Sequence, residues 1–478
     1  MDLVLKTSGQ QCPVGSNPTP SAGWEEAPGG GRLATVRATP SAFERIPVSS
    51  RPEGKASSRR QPVARHGVLR SPNPFVQILT VLGAIVAVVV VSVAAIGGFY
   101  VWDAARAVAD SGVSIGEDDA ALPPTIGEIE GGVNMLLVGT DSCEGQDLAL
   151  FPRCAAADAE GERNDVTMLI NISDAPRRVT VVSFPRDMIV SIPSCTGEDG
   201  TQYSAMSAQM INVSYMYGGL ACSVLTVEKL TGVDIQFAGA IRWTGVINMS
   251  DAIGGVDVCL SDDIQDIHTG LDLAAGQHTL VGAEALQFLR IRHGIGDGSD
   301  LGRISNQQQF MSSMVRKLQS DGVLSNPGTL LNLANTAVKQ VTSEQLVLSD
   351  TLANPQRMVQ IAMAVRSVPY EDIVFVQYPT VYAEGGLRVL PVTSDADVLF
   401  AALAANQPLQ LTGSTSDGNG TEVVGEATAP TSTPTATPTP GSTEAPVVEP
   451  APTETAVALP STVTGQTAAQ VTCTVAER

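Results

Sequence analysis

The sequence predicts an α/β sandwich, because apolar runs of strand length alternate with stretches of helical periodicity from residue 132 onward. Two further observations frame that domain. One uncharged apolar segment, long enough to span a bilayer, precedes it, and compositionally biased segments flank it. The 478 residues could hold one large domain or two, and the uneven composition favours one folded domain with tails.

Residues 1–74 are rich in Gly, Pro, Ser and Arg without periodicity, which predicts a disordered leader. Phe75 to Val101 carries no charge and exceeds the ~20 residues that cross a bilayer as a helix. Its place behind a 74-residue leader, and its length, set it apart from a cleaved signal peptide. The leader holds ten Lys/Arg against five Asp/Glu, so it is expected on the cytoplasmic side, with the rest of the chain outside. An acidic connector is expected over residues 102–131, with Asp118, Asp119, Pro123 and Pro124.

The folded domain is expected over residues 132–412. Asn134 to Val138 is a continuous apolar run ending in Gly139, Thr140 and Asp141, the pattern of a buried strand whose exit turn presents a carboxylate. Arg163-Asn164-Asp165 leads into a second strand, Val166 to Ile172, and Val179 to Val182 runs into Ser183-Phe184-Pro185-Arg186-Asp187. Helices are predicted at Ala221 to Leu230, stopped by Gly232, and at Thr244 to Ile253; strands at Phe237 to Ile241 and Val256 to Leu260. Ala283 to Phe288 forms a short helix, followed by a Gly-punctuated loop and a helix marked by Met311, Met314, Val315 and Leu318. Asn354 to Val365 and Asp395 to Leu403 complete the helices, with a strand at Ile373 to Tyr378 between them. From 413 to 478 the chain turns to Thr, Pro, Ser, Ala and Glu, a disordered, stalk-like tail.

Charge narrows the function. Beyond residue 101 there remain 18 Lys/Arg and 44 Asp/Glu, a formal charge of −26, which excludes a broad nucleic-acid surface. An anion site in such a chain has to be local. Of seven cysteines, Cys12 lies in the leader, and Cys143, Cys154, Cys195, Cys222, Cys259 and Cys473 lie on the side expected to be oxidising. Cys143 with Cys154 would close a short loop, Cys195, Cys222 and Cys259 are candidates for another bridge, and fifteen pairings stay open. The four histidines are scattered and no CxxC pair occurs, against a zinc site.

Arg290 and Arg292, two residues apart, project to one side of an extended segment. Ser299 or Asp300 caps the helix that follows and brings Asp300, Arg303 and Gln307 near its first turns, where free N–H groups favour an anion. Arginine matches phosphate oxygens bidentately, so the ligand expected is phosphorylated. Asp141, Arg163, Asp165 and Arg186 stand at strand ends, where open α/β sheets bind ligands. Asp141 and Asp165 are hard oxygen donors suited to Mg²⁺, with Mn²⁺ as the alternative. No Walker A, GxSxG, HExxH or GxGxxG sequence is present.

In order, Asn134 through Asp141, Arg163-Asn-Asp165, Ser183-Phe-Pro-Arg-Asp187, Ile211-Asn212, Tyr217-Gly-Gly219, Gly254-Gly-Val256, Arg290-Ile-Arg292 and Asp300-Leu-Gly-Arg303 through Gln307-Gln308 resemble the LytR-CpsA-Psr family over residues 132–320. The resemblance implies an αβα sandwich with a central mixed sheet, outside a single-pass membrane anchor. It implies a phosphotransferase that moves a glycopolymer from a polyprenyl-pyrophosphate carrier to a peptidoglycan sugar hydroxyl, releasing polyprenyl phosphate. In this resemblance Asp141 and Asp165 hold Mg²⁺. Arg163, Arg186, Arg290, Arg292 and Arg303 bind the pyrophosphate with Gln307 beside them. Arg163, Arg186 and Arg303 also serve the chemistry, and Asp300 is a further carboxylate, structural or proton-accepting. An apolar groove for the prenyl chain is expected beside the clamp, with Val224 to Leu230 and Phe310 to Val315 as candidates. Asn306 departs from the pattern, standing where many members have arginine. Two alternatives stay open: a non-catalytic stalked surface protein that binds wall glycopolymers, and an extracellular polyprenyl-pyrophosphate hydrolase.

Overall fold

The computed structural model describes residues 73–116, 129, 131–156, 161–197, 199–320, 327–416, 418–427 and 455–477. The expected leader up to residue 72, residues 117–128 and 130 of the acidic connector, and the Thr/Pro-rich stretch 428–454 lie outside these residues. The chain divides into units 1–77 and 78–478, and the fold below is that of the second. Helix α1 (Pro74–Ala109) is long and apolar enough to cross a membrane, and none of its apolar stretch is buried. It runs past Val101, so the first eight residues expected as connector are helical, and Val108 packs into a core.

The domain is built on a seven-stranded mixed sheet. Its strands are β1 (Val133–Thr140), β2 (Asn164–Ile172), β3 (Val179–Phe184), β4 (Phe237–Ile241), β7 (Leu346–Leu348), β8 (Ile373–Gln377) and β10 (Gly465–Thr467), in the order β7-β4-β1-β2-β3-β8-β10. β1 pairs parallel with β4, and β3 with β8; the other neighbours are antiparallel. Alternation decides which face each side chain serves. Leu136, Val138, Val182 and Phe184 pack on one face with α2 (Ser214–Thr231) and α8 (Thr393–Ala404). Val133, Val179 and Val181 pack on the other with α7 (Pro355–Arg366). Both faces are covered, which is why these strands read as unbroken apolar runs.

Because β1, β3 and β4 run the same way and β2 runs against them, Asp141, Arg186, Arg242 and the Asn164-Asp165 start of β2 all lie at one edge of the sheet. Beside this edge stand α3 (Trp243–Ala252), α4 (Gly282–Arg290) and α5 (Asp300–Ser320). A second sheet, ordered β6-β5-β11-β9 from β5 (Val256–Leu260), β6 (Gly276–Leu280), β9 (Thr421–Glu426) and β11 (Gln470–Thr474), shares a core with them. Val256, Val258, Leu260, Phe288 and Phe310 form that core. Helix α6 (Pro327–Thr342) was not signalled by the sequence pattern.

The tail expected to be disordered from 413 onward is corrected by these strands. β10 completes the main sheet, β9 and β11 build the second, and Cys473 is bonded to Cys259. Short β-prone segments, such as Gln470-Val471-Thr472-Cys473-Thr474, were hidden because composition was averaged with the Thr/Pro stretch between them. Cys143 bonds to Cys154 as expected, and Cys195 to Cys222. The helix expected from Ala221 begins at Ser214 and is broken at Gly218 and Gly219, the latter at φ 59°. A β-carbon on Gly218 would stand 2.7 Å from that of Cys222 and 2.9 Å from that of Cys195, so the disulfide can press against the break only with glycine there.

Candidate active site

Four side chains close into a ring at the sheet edge. Arg186, in the turn after β3, places Nη1 2.6 Å from Asp165 Oδ1, and its Nε lies 3.5 Å from Asp300 Oδ1. Asp300 Oδ1 lies 2.7 Å from Arg303 Nη2, which also donates to the Asp165 carbonyl at 2.9 Å. Asp300 and Arg303 come from the first turn of α5, where the Ser299 hydroxyl accepts from the Gly302 N–H at 3.3 Å and caps the helix.

The charges are tuned by this proximity. Burial pushes the Asp165 carboxyl up, but the guanidinium groups of Arg303, Arg186 and Arg290 outweigh it and hold the group below the ordinary carboxylate range. Burial, and then the negative charge of Asp165, raise Asp141 above its ordinary value. Asp141 Oδ1 accepts from the Arg163 N–H at 2.7 Å, which fixes it beside β2. The two carboxylates are thus close enough to repel, the condition a bound dication relieves. Among the described residues no group of three or more His, Cys, Asp or Glu is gathered as a metal site. Mg²⁺ would fit this pair if phosphate oxygens and water filled its other positions, as it prefers.

The remaining expected residues take different stations. Arg290 lies 4.2 Å from the centroid of the Trp243 ring, a cation–π contact that holds it at the edge. Arg292 is brought near the ring; burial, and then the charge of Arg186, lower its affinity for a proton, and its Nε is buried with no hydrogen-bond partner. Gln307 donates to the Leu289 carbonyl at 2.9 Å, bracing the end of α4 just before Arg290. Arg163 meets Asp141 through its main chain, while its side chain is exposed and makes no ion pair among the described residues. Asn306 faces away from the ring: its amide donates to the Phe288 carbonyl, and Thr474 Oγ1 lies 2.6 Å from its Oδ1.

Behind the ring opens an apolar cavity of about 450 Å³. Asp165, Arg290, Arg303 and Gln307 stand in its wall, and Val246, Leu286, Phe310, Met311 and Met314 line the interior. Of the two stretches expected to form a groove, Phe310 to Val315 contributes, whereas Val224 and Val227 are buried in the core on the α2 face of the sheet.

Sequence reasoning missed three features. Asp187 pairs at 3.6 Å with Arg388, from the hairpin of Thr380–Tyr382 and Val389–Pro391, and Arg388 lines a cavity with Arg292 and Asp300. Trp243 supports Arg290, and Arg242 binds Glu162 beside Arg163 at 2.9 Å. Only Trp243 carried a signal, as one of three tryptophans.

The last strands shape the site as well. Asp297 N–H donates to the Gly418 carbonyl at 2.9 Å, Gly296 N–H to Val475 at 3.1 Å, and Glu477 N–H to Gly294 at 3.0 Å. The loop joining Arg292 to Asp300 is therefore laced to the C-terminal segment. A β-carbon on Gly296 would stand 2.3 Å from the Gly418 oxygen, which explains the glycine at φ 54°.

Fold and site together define an αβα protein with a guanidinium–carboxylate ring at the mouth of an apolar chamber. The LytR_cpsA_psr family model matches residues 104–394, more than half of the chain, and the chain belongs to that family. It is 29% identical to the cell wall biosynthesis protein LcpA of Corynebacterium glutamicum over 239 residues, 45% of this chain and 45% of that one. It is 33% identical over 194 residues to the polyisoprenyl-teichoic acid–peptidoglycan teichoic acid transferase TagU of Bacillus mycoides, 40% of this chain and 60% of that one. The chain thus spans about half the length of the curated relatives it matches. The solved LytR-Csp2A-Psr enzyme from Actinomyces oris matches at 20% identity and a TM-score of 0.41, over 59% of this chain and 96% of its own; the assignment rests on the family model.

Proposed function

We propose that this protein is a membrane-anchored, Mg²⁺-dependent phosphotransferase that moves a glycopolymer from a polyprenyl-pyrophosphate carrier onto a peptidoglycan sugar hydroxyl and releases polyprenyl phosphate. One observation carries the reading: Arg290, Arg303 and the Asp165 carboxylate stand in the wall of an apolar chamber of about 450 Å³, and Arg186 and Asp300 join Asp165 and Arg303 in the ring beside it. A ligand with a diphosphate head and a hydrocarbon tail satisfies both halves at once. The names of LcpA and TagU, a cell wall biosynthesis protein and a teichoic acid transferase, are in keeping with it.

In this reading Arg186, Arg303, Arg290 and Arg292 grip the phosphates from two sides, and Arg163 swings over them from the rim. Asp300, 2.7 Å from Arg303 and 3.5 Å from Arg186, is spent on orienting those two groups. Asp141 and Asp165 would hold the Mg²⁺, which offsets negative charge on the phosphates when bound. The sugar oxygen attacks the phosphorus that bears the glycopolymer. Its bond to that phosphorus forms as the bond to the bridging oxygen breaks, the electron pair leaves with prenyl phosphate, and the hydroxyl proton passes to water. Helix α1 would keep the site near a membrane-borne donor, and the basic charge of the leader favours a domain outside the cell.

The test is incubation of the full chain in detergent with a saccharide-bearing prenyl pyrophosphate and Mg²⁺. Prenyl phosphate is expected to appear, to stop on chelation, and to return with Mg²⁺ or Mn²⁺. Donor binding without release would instead identify a non-catalytic glycopolymer binder and defeat the proposal.

A further inference from the structure

A second cavity, of about 660 Å³, opens beside the site against the first turns of α2 and the edge strand β7. We infer that it seats an uncharged, hydroxyl-rich glycan, and so serves as the acceptor subsite of the reaction proposed above, on which this inference rests.

Its wall combines two kinds of group. Tyr203 and Tyr217 stand edge to face, their ring centroids 5.3 Å apart, and both are partly exposed. Glu144, Glu162 and Glu344 supply carboxylates around them. A pyranose presents apolar C–H faces and a rim of hydroxyl donors, and tyrosine rings with carboxylate acceptors match both. Among the described residues of the wall the one guanidinium, that of Arg242, already faces Glu162, with Nη2 at 2.9 Å and Nε at 3.2 Å. No spare cation is left there for a phosphate, so the cavity repels an anionic polymer and admits a neutral one. The break at Gly218–Gly219, pressed by the Cys195–Cys222 disulfide, turns the start of α2 so that Tyr217 reaches this wall.

Its position suits an acceptor. Glu162 belongs to this cavity and Asp165 to the apolar one. They are three positions apart, at most ~11 Å of extended chain. Arg163, between them, donates its N–H to Asp141 Oδ1 at 2.7 Å and accepts at its carbonyl from the Asp141 N–H at 3.1 Å. A glycan here and a prenyl chain in the apolar cavity therefore approach the ring from either side of one short segment.

The experiment titrates the full chain in detergent with chitotetraose, a soluble β-linked N-acetylglucosamine tetramer, read by saturation-transfer NMR and calorimetry. Prenyl phosphate release by the wild-type protein is measured in parallel. Wild type should bind the tetramer, Tyr203→Ala should weaken binding about tenfold, and Tyr203→Phe should restore it. Glu344→Gln, on an exposed turn, should weaken it about threefold and guards against a Tyr203→Ala variant that fails to fold. Absence of binding by a wild-type protein that releases prenyl phosphate would overturn the inference alone, as would equal binding by all four proteins. Displacement of the tetramer by a polyglycerol phosphate would also overturn it. Failure of wild-type release would strike the transferase reading instead.

Discussion

Asp165 is the residue on which most of the site's electrostatics converge, since Arg186 takes its carboxylate and Arg303 its carbonyl. Its proton affinity is lowered in the folded state, so its ionised form contributes stability that is complete above the ordinary aspartate value. That contribution fades as pH falls through the lowered value. Asp165→Asn should cost about 1–3 kcal/mol near neutrality, a buried-pair loss discounted because the side chain is 21% exposed. Thermal midpoints compared from pH 7 downward should show the gap between wild type and variant closing at acid pH. At this scale the sequence disclosed the charged groups that sit in contiguous motifs, Asp141, Arg186, Arg290 and Arg303 among them. It was silent on Arg388, which reaches Asp187 only because a hairpin nearly 200 residues later folds over the same turn.

Helix α5 links the two halves of the site. Its first turn supplies Asp300 and Arg303, and its next turns supply Phe310, Met311 and Met314 to the chamber wall. Met314→Trp should fill part of that space. Release of prenyl phosphate from a long-chain donor is then expected to fall about tenfold or more, while a donor with a single isoprene unit is little affected. The comparison of the two donors under identical conditions is the measurement. The strands of the last segment support the same helix: Thr474 Oγ1 lies 2.6 Å from Asn306 and 2.5 Å from Gln309. Asn306 is therefore committed to a contact with β11. Replacing Cys259 and Cys473 together by serine should cost roughly 2–5 kcal/mol, given the 214-residue separation it closes. Calorimetric unfolding without reductant should show the variant melting below wild type, and with reductant, which opens all three bridges, the difference should vanish. Apart from α6, the helices and central strands were legible because their apolar periods are long and regular. The edge strands β7, β9 and β10 were not: β7 is only three residues long, β9 and β10 carry Thr, Gly or Gln, and their partners lie far away in sequence.

For the whole molecule, the family match begins at residue 104, within α1, while Val108 is buried in the domain core. A chain shortened to start at 104 should keep its thermal midpoint and still release phosphate from a short-chain donor in solution, yet no longer sediment with membranes. Loss of release from the soluble donor would show that the anchor does more than tether. The sandwich was legible from alternation alone, and the closing of its second sheet by residues beyond 413 was not, because no local pattern announces a partner 214 residues distant.

That closing has a temporal side. A ribosome makes residues in order, so the thiol of Cys259 exists long before Cys473 emerges to meet it. Until then the Arg292–Asp300 loop lacks the backbone partners at 418, 475 and 477, and the cleft stays unset. The chain must therefore pass through nearly half of its synthesis with the Cys259 thiol still without its disulfide partner. Maturation of the candidate site then coincides with oxidation of the final cysteine.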